Sequence, residues 1–157
     1  MRSIWVESDG ASVGIIDQTE LPHRFVTARL VSVDDTARAI RTMQVRGAPL
    51  IGAAAAYGVW LALCADASDE ALERACATLI ATRPTAINLA WALDEMLAAV
   101  RNRPRAERAD AASRRAVEIA DEDVTINQAI GRHGLKILEE IAAQKKGERT
   151  RRIRIRS

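Results

Sequence analysis

The stretch from Met43 to Gly58, MQVRGAPLIGAAAAYG, sets an arginine, a glycine and a proline directly before a run without charge. Pro49 fits the first position of a helix, where its missing N–H would be unpaired anyway. A helix start presents free N–H groups and a partial positive charge, so Arg46 carries the wrong sign for it unless an anion arrives. A phosphate would be met by the Arg46 guanidinium fork and by backbone N–H groups of Gly47 and Ala48. Gly47 lets that backbone approach closely because it has no Cβ. The blander reading pairs Arg46 with a nearby carboxylate and leaves Gly47 to the turn. Thr82-Arg83-Pro84-Thr85 places a second arginine just before a helix start. Alone, Arg83 reads as a solvated surface charge; with Arg46 it points to one shared anionic ligand.

Other reactive side chains offer less. His23 and His133 stand far apart, without the Cys or carboxylate spacing of a metal site, and read as structural. Cys64 and Cys76 are not in a C-x-x-C arrangement and read as buried, reduced thiols. Asp17-Gln18 follows a strand-like segment directly, where a carboxylate can be catalytic but more often serves a turn. Nucleophile motifs, a phosphate-binding loop of the P-loop type and a dinucleotide fingerprint are all missing. No cofactor and no metal are expected.

These residues need elements to position them. Segments 3–8 (SIWVES), 12–17 (SVGIID) and 25–31 (FVTARLV) read as three strands, with a tight turn at Asp9-Gly10. Ser32-Val33-Asp34-Asp35 fits a capping box before a helix with Ala37, Ile40 and Met43 on its apolar side. The next helix starts at Pro49 and runs to about Cys64. Ser68 caps one to about Ile80, and Thr85 caps another with Leu89, Ala92, Leu93 and Met96 on one face. After Pro104 a helical pattern continues to about Gln144. Gly131 and Gly134 weaken it, or else mark a close backbone contact. The expected class is α+β, mainly α: a small N-terminal antiparallel sheet of about three strands (3–31), then a helical bundle (33–146).

The chain has 157 residues, 48% of them hydrophobic, enough for one domain with a real core. Aromatics are only 3%, and alanine dominates. The net charge of +2 hides an asymmetry. Residues 145–157, KKGERTRRIRIRS, carry seven Lys/Arg against one Glu, a charge of +6 that leaves −4 on residues 1–144. An acidic body argues against a basic groove for nucleic acid. The uncharged run from Gly47 to Ala65 is nearly long enough to span a bilayer, but its alanines and glycines suit a helix buried on all sides better. No membrane span and no signal peptide are expected, and a cytoplasmic location follows. The domain is expected over 1–148, with 149–157 a basic tail foreign to it or disordered.

Ile16-Asp17-Gln18 with Leu21-Pro22, then MQVRGAPLIGAAAAYG, then RPTAINLAWALDEM, together resemble the S-methyl-5-thioribose-1-phosphate isomerases. These are aldose–ketose isomerases of methionine salvage. They are related to regulatory subunits of the guanine-nucleotide exchange factor of translation initiation and to ribose-1,5-bisphosphate isomerase. The resemblance covers residues 3 to about 149. It implies an N-terminal domain whose Rossmann-like partner domain, with the catalytic cysteine and aspartate, is absent from this chain. The expectation is therefore a truncated, frameshifted or engineered product, inactive alone and with no catalytic residue of its own. The family's substrate contacts fall on Arg46, Gly47, Ala48 and Arg83. The implied partners are a sugar phosphate and, in the intact protein, a second copy in a homodimer. The competing reading is a non-catalytic regulatory or assembly subunit, and the Arg-Gly-Ala-Pro stretch favours the isomerase.

Overall fold

The computed structural model describes residues 2–154, with side chains through residue 145. Three strands open the chain: β1 (Ile4–Val6), β2 (Val13–Ile16) and β3 (Thr27–Leu30). They form an antiparallel sheet in that order, with Val6 opposite Val13 and Ile16 opposite Thr27. The central strand β2 is buried along its whole length. Gly14 sits in it because a Cβ there would come within 2.3 Å of the Trp5 ring and of the Glu7 carboxylate.

The connection at Asp9-Gly10 contains a tight turn, closed by the Gly10 N–H on the Glu7 carbonyl at 3.0 Å, within a wider loop. Glu7 N–H donates to the Ser12 carbonyl at 2.9 Å, so the ladder closes around a four-residue loop. The Asp9 carboxylate accepts from the backbone N–H groups of Ala11 and Ser12 and from the Ser12 hydroxyl. That local bonding stabilises the wider loop, and Gly10 supplies the positive φ of 65° it needs.

Five helices follow: α1 (Val33–Arg41), α2 (Ala48–Ala65), α3 (Asp69–Ile80), α4 (Ile87–Val100) and α5 (Arg105–Arg154). Ser32 caps α1 by accepting from the Asp35 N–H, and the Asp35 carboxylate accepts from the Ser32 hydroxyl and the Val31 N–H. Ser68 caps α3 as expected, by accepting from Ala71 N–H. The start of α4 differs. Its cap is Ala86, not Thr85, and no side chain caps it. A turn closed by the Ala86 N–H on the Arg83 carbonyl uses the position Thr85 would need. Helix α2 begins one residue early, so Pro49 takes its second position, where the N–H is still unpaired.

Helix α2 is the centre of the core. Twelve of its 18 residues are buried, and it packs on α1, α3, α4 and β1. It alone, among the described residues, is long and apolar enough to cross a membrane, but other helices surround it. Its small residues set the packing distance. A Cβ on Gly58 would lie 3.0 Å from Thr36 Cγ2 and 3.2 Å from Leu79. A Cβ on Gly52 would lie 2.8 Å from the Asn88 carbonyl oxygen in the first turn of α4.

The chain forms two compact units, Met1–Asp123 and Val124–Ser157. In the first, Ala112, Ala116 and Ile119 of α5 join the core. The second is the remainder of α5. There the helix runs through Gly131 and Gly134 and on to Arg154, past the end expected at Gln144. Lys, Arg, Glu and Gln there are good helix formers and no proline intervenes. Neither glycine serves a close contact, since a Cβ on either would meet nothing within 4 Å. Of the tail expected to stand apart, the backbone of 149–154 is helical, while residues 155–157 lie outside the described residues.

Candidate functional site

The segment joining α1 to α2 carries Arg46, and its shape is tightly determined. Thr42 N–H donates to the Arg38 carbonyl, and Met43 adopts a left-handed φ of 62°. Val45 is fully buried and its N–H donates to the Ala39 carbonyl. Gln44 is clamped twice: its carbonyl accepts from Gln18 N–H at 3.0 Å, and its side-chain amide donates to the Asp17 carboxylate at 2.7 Å. Asp17 is buried and also accepts from the Thr19 hydroxyl and N–H. The Thr19 hydroxyl, more than any other group, holds the Asp17 carboxyl below its ordinary value; the Gln44 amide adds to that effect and burial opposes it. The residues just before Arg46 are therefore fixed from the end of β2.

Gly47 then turns the chain into α2 with φ 96° and ψ 131°, a conformation that side-chain-bearing residues rarely adopt. Its carbonyl accepts the first helical bond, from Ile51 N–H at 3.0 Å. The Gly47 and Ala48 N–H groups donate to no acceptor among the described residues, and both residues are exposed. Arg46 is exposed and forms no ion pair among the described residues, so the carboxylate partner of the blander reading is not seen. The helix start thus offers two free backbone donors and one free guanidinium.

Arg83 opens the turn into α4, exposed and likewise without an ion pair among the described residues. The close approach of Gly52 to Asn88 joins the second turn of α2 to the first turn of α4. The two arginine-bearing helix starts therefore belong to the same end of this helix pair. An open groove of about 360 Å³ runs along the start of α4, lined by Pro84, Ile87, Trp91 and Asp94. Ile87 and Trp91 are its exposed apolar surface, 82% and 41% accessible.

The remaining candidates lie elsewhere. His23 and His133 are exposed, and among the described residues no group of three His, Cys, Asp or Glu could hold a metal. Cys64 is exposed rather than buried, because it falls on the outer side of the last turn of α2. Cys76 is half-buried, and burial raises its thiol to about 11. Sequence reasoning favoured a turn for Asp17 and did not single out Gln44. The only signal was the carboxylate at a strand end; its partner lies 27 residues away.

The Initiation factor 2 subunit family matches residues 44–145. A methylthioribose-1-phosphate isomerase of Methylorubrum populi is 59% identical over 146 residues, covering 93% of this chain and 40% of the relative. Among solved structures, the 5-methylthioribose 1-phosphate isomerase of Pyrococcus horikoshii superposes with a TM-score of 0.70 at 37% identity, over 78% of this chain and 36% of that one. The delta subunit of translation initiation factor eIF-2B from A. fulgidus superposes with a TM-score of 0.71 at 35% identity, over 79% of this chain and 38% of that one. The chain spans about 40% of the length of the curated isomerases it matches. With its sheet-plus-bundle fold and its Arg46-Gly47 helix start, this chain belongs to the Initiation factor 2 subunit family.

Proposed function

We propose that this chain supplies the phosphate-recognising part of an aldose–ketose isomerase acting on S-methyl-5-thioribose 1-phosphate, forming the ribulose 1-phosphate in methionine salvage. The observation that carries the proposal is the start of α2. There Arg46, without an ion pair among the described residues, directly precedes two exposed residues whose N–H groups have no acceptor among them, a sequence of groups suited to a phosphate dianion. Arg83 at the start of α4 is the second cation of the same surface. The isomerase names of the relatives give the class of reaction.

The reaction moves hydrogen between C1 and C2 of a sugar whose anomeric phosphate blocks simple ring opening. It requires an acid/base group and a pocket closed to water. Arg46, Gly47, Ala48 and Arg83 bind and orient; none of them is suited to carry the proton. The nearest carboxylate in sequence that is held by the same loop, Asp17, is occupied by Thr19 and Gln44. The proposal therefore assigns binding without turnover to the 157-residue chain alone, in the cytoplasm. The likeness to an initiation-factor subunit supports a second reading, a non-catalytic subunit; the exposed Arg46 beside free amides favours the first.

Calorimetric titration of the purified chain separates them. Methylthioribose 1-phosphate is expected to bind and methylthioribose not, with Arg46→Ala weakening binding about tenfold or more. Equal binding of both sugars, or none by either, overturns the proposal. Turnover by the chain alone would refute the division between binding and chemistry.

A further inference from the structure

Asp17 and Gln18 follow β2 directly, and their side chains are used differently. The Asp17 carboxylate is buried and taken up by Thr19 and Gln44. Of the two glutamines at this junction, Gln44 spends its side-chain amide on Asp17. Gln18 is half-buried, and its side-chain amide makes no hydrogen bond among the described residues. A carboxamide has two donors and an acceptor, so all of them are open to a ligand here.

The backbone of Gln18 is nonetheless fixed. Its N–H donates to the Gln44 carbonyl at 3.0 Å. Segments joined in this way lie about 5 Å apart, and two further residues of chain reach at most about 7 Å. The Gln18 and Arg46 Cα atoms therefore stand within about 12 Å of each other. An extended glutamine side chain and a pentose phosphate together bridge that span. The bond from Gln44 to Asp17 steadies the same junction from the side.

Arg46 and the N–H groups of Gly47 and Ala48 offer donors and a positive charge only, which do not tell one phosphate ester from another. A sugar hydroxyl both donates and accepts, and an uncharged amide answers it in both senses. On the reading that the start of α2 takes the phosphate, we propose that Gln18 binds a ring hydroxyl of the sugar. It thereby sets the preference for a sugar 1-phosphate over other phosphates. A carboxylate at this position would repel the phosphate, and an apolar side chain would leave the hydroxyl without a partner.

The test is titration of the full chain with methylthioribose 1-phosphate and with inorganic phosphate, read from the Gly47 and Ala48 amide shifts. Gln18→Ala keeps the backbone N–H and with it the bond to Gln44, so the Arg46 segment keeps its shape. The sugar phosphate should bind the variant about fivefold or more weakly, while inorganic phosphate binds as it does to the wild type. Gln18→Met keeps the bulk and loses the amide, and should lose as much as Gln18→Ala. Equal weakening for both probes, no change for either, or full affinity in Gln18→Met overturns the inference while the phosphate site stands. A wild-type chain that binds neither probe removes the phosphate reading, and this inference with it.

Discussion

The Gln44 side-chain amide donates to the Asp17 carboxylate at 2.7 Å, joining the end of β2 to the segment that presents Arg46. This bond and the adjoining one from Gln18 N–H to the Gln44 carbonyl fix the Arg46 segment before any ligand arrives. Preorganisation of this kind lowers the ordering cost of binding. Gln44→Ala is expected to weaken phosphate binding several-fold although Gln44 does not reach the ligand. It should also cost about 1–3 kcal/mol of stability, because Asp17 is left under-satisfied. Unchanged affinity in calorimetry would show that the Arg46 segment keeps its shape without the bond.

The same carboxylate gives a pH dependence. Its folded-state value lies below the ordinary 3.8, so its contribution is fully present above that value. The contribution is lost as pH falls through the lowered value. The stability difference between the wild type and Asp17→Asn, measured by urea unfolding, should be constant from pH 7 to 5 and shrink below about 4. A difference that persists unchanged into acid would mean the carboxylate charge is not what Thr19 and Gln44 stabilise.

Gly52 sets the distance between the two arginine-bearing helix starts. Its absent Cβ would fall 2.8 Å from the Asn88 carbonyl oxygen, a backbone atom that a rotamer change cannot move aside. Gly52→Ala should destabilise the fold by about 1–3 kcal/mol in thermal or urea unfolding, despite the better helix propensity of alanine. Gly131→Ala, in open space, should instead stabilise by up to about 1 kcal/mol. The opposite ordering of the two variants would contradict the packing described.

Much of this architecture was legible from residue patterns. The strands and the starts of α1 and α3 follow from alternation and from Ser caps whose reasons are local, within four residues. Errors gathered where a non-local or competing bond decides. The loop at Asp9 is wider because its carboxylate collects Ala11 and Ser12; α4 is capped at Ala86 and not Thr85 because a turn from Arg83 comes first. At the site, Arg46, Gly47 and Ala48 were readable because the wrong charge before a helix asks for an explanation. Asp17 and Gln44 were not, since a bond across 27 residues leaves no periodic trace.

Arg108 is a further residue that no motif announces. It is 5% exposed, donates to the carbonyls of Ala67, Arg101 and Arg103, and pairs with Asp69 at 2.8 Å. It thereby ties the end of α4 to the α2–α3 connection. Arg108→Ala should cost about 1–3 kcal/mol, because a buried side chain and its bonds to three carbonyls are lost together. Arg108→Lys should recover little of it, since one ammonium cannot span three carbonyls. Full recovery by lysine in urea unfolding would assign the effect to charge alone.

The central claim is that Arg46 and the backbone at Gly47 and Ala48 form a phosphate site. The most direct measurement is the amide chemical shift of Gly47 and Ala48 in the folded chain, titrated with a sugar 1-phosphate. Both amides should move together and saturably. Arg46→Ala should abolish the movement, and Arg46→Lys should weaken it although it keeps the charge. Shifts confined to other residues, or amides at Gly47 and Ala48 that move equally in the Arg46→Ala variant, would contradict it.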